Sequence, residues 1–142
     1  MAAGKVSFEL VSPERILARE AVDMVVIPGA EGDFGVLPEH APFLSLLRPG
    51  VIATYEGDRV TGRIFVAGGF AEVNPVGCIV LAEAAEPVSE MNAGAAQQAL
   101  KDAQEDMADA KEPGEAQRAR LERAVAVAEA RLAALGEAGA TH

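Results

Sequence analysis

The 142-residue chain has no tryptophan, one tyrosine, one cysteine and two histidines. A single cysteine cannot close an internal disulfide, and Cys78 lies within an apolar run, so a reducing compartment fits. With only His40 and His142, a metal set would need scattered carboxylates, for which no spacing argues. No phosphate loop of the form G-x-x-x-x-G-K-[ST] occurs, and Gly29, Gly32 and Gly35 are spaced by three, unlike the dinucleotide fingerprint. Asp33-Phe34-Gly35 spells the kinase metal-binding tripeptide, but a catalytic loop is missing and the chain is too short for a kinase. No catalytic residue, metal or cofactor is therefore expected. Positive charge is also scarce, 12 Lys and Arg against 22 Asp and Glu, for a net charge of −10. That balance argues against binding nucleic-acid phosphates or adhering to anionic lipid. No apolar run approaches the roughly 20 residues needed to span a bilayer. The first ten residues, MAAGKVSFEL, alternate in polarity where an export signal would be continuously apolar. Any work at a membrane would be done through other proteins, without direct insertion.

What is present is a hydrophobic half, rich in Val, Ile, Leu and Ala, enough for one domain or a small domain with an appendage. The most shaped stretch is Gly29–Gly50, GAEGDFGVLPEHAPFLSLLRPG. Its four glycines and three prolines forbid one long helix or strand and describe a tight loop with short strands. It carries Glu31, Asp33, Glu39 and His40, a polar set of the kind used in recognition. The carboxylates suit solvated or turn-capping roles better than acid–base chemistry. His40 is either a titrating switch or a side chain bonded to its own Pro-flanked turn.

Around this stretch the pattern is that of short strands. Residues 5–11 place Val6, Phe8 and Leu10 on one face and Lys5, Ser7 and Glu9 on the other, a half-buried strand. Residues 15–20 would return as a second strand, and the β-branched run 22–27 predicts a central strand buried on both faces. Residues 51–55 and 60–67 flank a hairpin connection at Glu56-Gly57-Asp58. Residues 70–73 follow Gly68-Gly69. Asn74-Pro75-Val76-Gly77 carries type I turn chemistry, and 78–82 would be the closing strand. The expectation is an antiparallel β-sandwich or flattened barrel over residues 1–87.

Residues 88–142 change character. Ser89 is a candidate helix cap. Met91, Ala95, Ala99, Ala103, Met107 and Ala110 recur at helical spacing. After Pro113-Gly114, the residues Leu121, Val125, Ala128, Leu132 and Leu135 form a seam with steps of four and three, with Gly136 as its expected stop. This predicts a C-terminal antiparallel α-helical hairpin whose alanine-rich seam stabilises less than a leucine seam would. The first helix is acidic and the second carries Arg118, Arg120, Arg123 and Arg131. Those charges either attract across the hairpin or leave the second helix available to an acidic partner.

Three blocks together carry a resemblance: Gly32-Asp33-Phe34-Gly35-Val36-Leu37-Pro38-x-His40-Ala41-Pro42, then Leu47-x-Pro49-Gly50, then Gly68-Gly69-Phe70-x-Glu72-Val73. In this order, followed by an alanine-rich helical pair, they resemble the epsilon subunit of F-type ATP synthases, whose mitochondrial counterpart is called delta. The resemblance covers essentially the whole sequence. It implies a sandwich of about ten strands plus two helices in a central rotor stalk, on the cytoplasmic face of the bacterial inner membrane. It also implies partners: the gamma subunit and the membrane ring, and conditionally the catalytic alpha/beta head. On that likeness, Glu31, Gly32, Asp33, Phe34, Gly35 and His40 are candidates for the ring and gamma contacts. Arg118, Arg120 and Arg123 are candidates for a helix that obstructs ATP hydrolysis. Several bacterial members bind ATP through [IL]-D-x-x-R-A. Here Met91-Asn92-Ala93-Gly94-Ala95-Ala96 lacks both the acid and the arginine, which speaks against nucleotide sensing. The other functional class is a soluble small-molecule sensor with a ligand-closed hairpin.

Overall fold

The alternation of Val6, Phe8 and Leu10 becomes strand β1 (Val6–Val11), with each of these side chains at most 1% exposed. In the computed structural model, which describes residues 4–140, nine further strands follow. They are β2 (Ile16–Val22), β3 (Met24–Gly29), β4 (Gly32–Val36), β5 (Phe43–Leu47), β6 (Gly50–Glu56), β7 (Arg59–Val66), β8 (Gly69–Val73), β9 (Gly77–Ala82) and β10 (Ala85–Pro87). Two helices come last, α1 (Ala93–Asp109) and α2 (Glu115–Ala140). The polypeptide divides into two compact units between Ser89 and Glu90.

The strands hydrogen-bond in the order β10-β7-β6-β3-β5-β8-β9-β1-β2, with β4 added to β3. β3 and β5 share only the pair Gly29↔Leu47, and there the ladder folds over so that its two halves enclose one core. That core takes Phe8, Leu10, Val73 and Val80 from one half and Val25, Ile27, Ile52 and Val66 from the other. The fold-over explains the glycines that bracket the loop-rich stretch. A β-carbon on Gly29 would sit 2.7 Å from Gly32 O, and one on Gly50 would sit 2.9 Å from the Pro28 ring. The sandwich is mostly antiparallel, as its alternation predicts, but β1 and β9 run parallel. Such a pairing between strands so distant in sequence leaves no local mark.

Turn chemistry places the hairpins. Glu56 pairs with Arg59 across Gly57-Asp58, and Gly57 takes φ +62°. Asn74 Oδ1 accepts from the backbone N–H of Val76 (2.8 Å) and Gly77 (3.0 Å), closing the β8–β9 turn. The run 22–27 is broken where one strand was expected. Val22 ends β2, and Asp23 turns away to accept from Gly57 N (2.6 Å) and to pair with Lys5 (2.7 Å). β3 then alternates, with Val25 and Ile27 fully buried and Met24 and Val26 half-buried, so it is not covered on both faces. The closing strand is β10, paired to β7, beyond the expected 78–82. Pro87 is tolerated there because an edge strand needs no second set of donors.

The helical unit is an antiparallel hairpin whose two helices pack together. Ser89 lies in a single 3-10 turn (Val88–Glu90), and the α1 cap is Asn92, whose Oδ1 accepts from Ala95 N at 2.8 Å. Asn caps as well as Ser does. The buried residues of α1 are Ala96 and Ala103: Ala103 of the expected stripe is buried, Ala95 is exposed, and Ala99 is exposed along the groove shared with α2. In α2 the expected seam holds: Ala128 is buried, and Leu121, Val125, Leu132 and Leu135 are half-buried. Gly136 does not stop it, since α2 continues to Ala140. A glycine in a helix costs only about 1 kcal/mol, and the alanines around it are strong helix formers.

Candidate functional site

The turn Ala30-Glu31 joins β3 to β4 in register Gly29↔Gly32 and Val25↔Val36. Gly32 adopts φ +135°, with no atom within 4 Å of where a β-carbon would be, so this hairpin tip is open and needs glycine for its backbone. Backbone bonds tie the tip to the end of β5: Ala30 N to Leu46 O (2.8 Å) and Arg48 N to Pro28 O (3.0 Å). The Arg48 side chain adds a clasp. Nη1 donates to Gly29 O at 2.6 Å and Nη2 donates to Asp33 Oδ1. Phe34 packs edge-on against Phe43, with centroids 5.3 Å apart.

The candidate residues therefore separate into two places. Glu31, Gly32 and Asp33 form the tip, with Phe34 and Gly35 on β4 behind them. His40 lies beyond the other end of β4, after a strand rising roughly 13 Å from Gly32 to Val36. Its Nδ1 donates to Ala41 O at 2.7 Å. Glu39, at φ +64°, donates its N–H to Pro75 O at 3.1 Å. The His40 loop is thus seated against the β8–β9 turn.

Between these ends runs a surface that the spacing of charged residues did not point to. On the outer face of β5, β8, β9, β1 and β2, one row across the strands reads Leu46, Phe70, Leu81, Val11, Ile16. The next reads Leu44, Glu72, Ile79, Glu9, Arg19. Leu44 is 68% exposed and Leu46 71%, with Phe70, Ile79, Leu81 and Ile16 exposed beside them. Contiguous apolar exposure on this scale marks an interaction surface. A signal existed in FLSLL and CIVLA, where apolar residues occupy both faces of the strand, broken only by Ser45. A solvated sheet face would alternate, as β1 does.

On the hairpin, Arg120, Arg123 and Arg131 of α2 and Asp102 and Asp106 of α1 line one groove of about 670 Å³. Arg118 does not line it. Burial pushes the Cys78 thiol up to about 12, so it is no nucleophile. Among the described residues no group of three or more His, Cys, Asp or Glu could hold a metal ion.

Residues 5–88 match the family model for the beta-sandwich domain of the ATP synthase delta/epsilon chain, and residues 93–142 match that for the C-terminal domain of the ATP synthase epsilon chain. The protein belongs to the ATP synthase delta/epsilon family. Among its relatives, the ATP synthase epsilon chain of Rhodospirillum rubrum is 52% identical over 127 residues, covering 89% of this chain and 93% of that one. The epsilon chain of Paramagnetospirillum magneticum is 50% identical over 133 residues, covering 94% and 98%. A subunit in the Euglena gracilis mitochondrial ATP synthase (OSCP/F1/c-ring) superposes with a TM-score of 0.77 at 29% identity, covering 93% of this chain and 82% of that one. A subunit in the central stalk/c-ring structure of the Tetrahymena thermophila enzyme shares the fold, with a TM-score of 0.62 at 15% identity, covering 92% and 98%. As an epsilon chain, the protein is a non-catalytic, central-stalk subunit of ATP synthase. No helix among the described residues is long and apolar enough to cross a membrane.

Proposed function

We propose that this epsilon subunit clamps the rotor. In this reading the apolar face of β5, β8, β9, β1 and β2 holds the gamma subunit. The tip at Glu31–Asp33 bears on polar loops of the membrane ring, and the helix carrying Arg118, Arg120 and Arg123 restrains hydrolysis at the alpha/beta head. The subunit would sit at the cytoplasmic face of the bacterial inner membrane. The exposed apolar rows carry this reading. Burying such side chains yields roughly 1.5–3 kcal/mol each, so three or four of them offset much of the roughly 4–15 kcal/mol cost of association. A coiled-coil-like or sheet partner with a matching apolar stripe suits a face of that kind, whereas a small ligand does not.

Titrating the full-length protein into isolated gamma subunit, as wild type and as Leu46→Glu, tests this. Leu46 is already largely exposed, so the substitution spares folding while placing a carboxylate within the contact. At about 3 kcal/mol or more for an unpaired buried charge, affinity should fall at least a hundredfold. Unchanged affinity would remove gamma from this face.

A further inference from the structure

We propose that Arg48 is the positioning residue of the hairpin tip, and that Asp33 acts inward through it, leaving Glu31 as the acid presented to a partner. This rests on the reading that the tip meets the ring. Among the described residues β4 hydrogen-bonds to a single strand, β3, so a sideways load on the tip falls on that one ladder and on the few bonds that tie the corner to the end of β5. Arg48 lies on the far side of the fold-over, after β5, and its guanidinium reaches back over the corner. One arm holds Gly29 O on β3 at 2.6 Å and the other holds the Asp33 carboxylate on β4. The backbone at Arg48 is itself fixed to Pro28 O, so the clasp is grounded in the sandwich and not in a loose loop. A planar guanidinium spans a carbonyl and a carboxylate at once, which an ammonium cannot do with the same geometry. Glu31, two residues before Asp33, is exposed and makes no such inward bond.

The pair is exposed, with side-chain accessibilities of 43% for Arg48 and 61% for Asp33. It therefore adds little to global stability, and its effect is local. Two readouts separate the clasp from its use. The first is hydrogen exchange of the Ala30 amide in the full-length protein, since that amide bonds Leu46 O within the clasped corner. The second is proton pumping per ATP hydrolysed in ATP synthase reconstituted with the variant. In Arg48→Ala and in Asp33→Asn, Ala30 exchange should rise about threefold to tenfold while the unfolding midpoint barely moves. The double variant should go no further than Arg48→Ala, because that substitution already removes both arms of the clasp, the Gly29 bond and the Asp33 bond. Pumping per ATP should fall in each single variant and no further in the double. Arg48→Lys, keeping charge but not the fork, should fall between. Unchanged Ala30 exchange in Arg48→Ala would overturn the clasp. Additive losses of pumping would overturn the inward role of Asp33 and give it a direct partner contact. Faster exchange with normal pumping in all three variants would overturn the coupling role while the clasp itself stood.

Discussion

Gly69→Ala should unfold the sandwich far more readily than another glycine substitution of the same size. Gly69 opens β8 at φ +134°, where a β-carbon would lie 2.1 Å from Leu81 O and 2.9 Å from Ala82 Cα. Backbone, unlike a side-chain end, cannot swing aside, so β8 and β9 must part by about an ångström at the pairs Gly69↔Ala82 and Phe70↔Leu81. The disallowed φ costs roughly 1–3 kcal/mol and a weakened ladder about 1 kcal/mol per hydrogen bond. The total of about 3–5 kcal/mol is a large part of the roughly 5–15 kcal/mol stability of a domain. Gly57→Ala is the control: φ is +62° and nothing lies within 4 Å of the added carbon, so it costs about 1–2 kcal/mol. Tyr55, the only tyrosine in a sequence without tryptophan, lies on β6, so its emission in a urea titration reports the sandwich alone. With a slope of about 2 kcal/mol per molar, Gly69→Ala should lower the midpoint by roughly 2 M and Gly57→Ala by about 0.5–1 M. Equal midpoints for the two variants would refute the close-approach argument.

Asp23 is held below its ordinary value of 3.8 by the Lys5 hydrogen bond first and the Gly57 N–H second. A lowered folded-state pKa stabilises above the unfolded value and is lost as pH falls through the folded one, so the deficit of Asp23→Asn should be present at neutral pH and shrink as pH falls below the ordinary carboxylate value of 3.8. Lys5 is raised above 10.5 by Asp23 and Glu56, so the same deficit should also shrink as pH rises past that value; a pH-independent deficit in denaturation midpoints would contradict both signs. Asn92→Ala should destabilise α1 by about 1 kcal/mol, seen as an earlier loss of helical circular dichroism with Tyr55 emission unmoved, whereas an unshifted helical transition would deny Asn92 its capping role. Truncation after Ser89, at the division between the two units, should leave assembly and ATP synthesis intact and raise ATP hydrolysis by the reconstituted enzyme. Unchanged hydrolysis would remove the restraint proposed for the arginine-bearing helix.

Local chemistry was the legible part of this sequence. The β1 alternation, the Gly57 and Asn74 turns and the α2 seam each depend on residues a few positions apart, and each is found where its pattern puts it. Nonlocal consequences were not legible: the parallel β1–β9 pair, the three-residue β10, and the break at Asp23, which pairs with Lys5 beside the neighbouring strand. In α1 the stripe was read only in part, because alanine on every side leaves little contrast for periodicity to exploit. Ala103 is buried as expected, but Ala96, outside the stripe, is buried as well, while Ala95 and Ala99 are exposed. The tip's location was readable from its glycines, but the Arg48 clasp leaves no signature in an R-P-G triplet. The apolar face was written in β5 and β9 and passed over, because apolar residues in strands are read first as core.

The most direct test of the account is capture of the tagged subunit from bacterial membranes, as wild type and as Leu46→Glu. The wild type should retain gamma, the alpha/beta head and the membrane ring together, and Leu46→Glu should lose all of them while remaining folded by Tyr55 emission. Retention of the whole complex by Leu46→Glu would contradict the claim that this apolar face holds the epsilon subunit in the stalk.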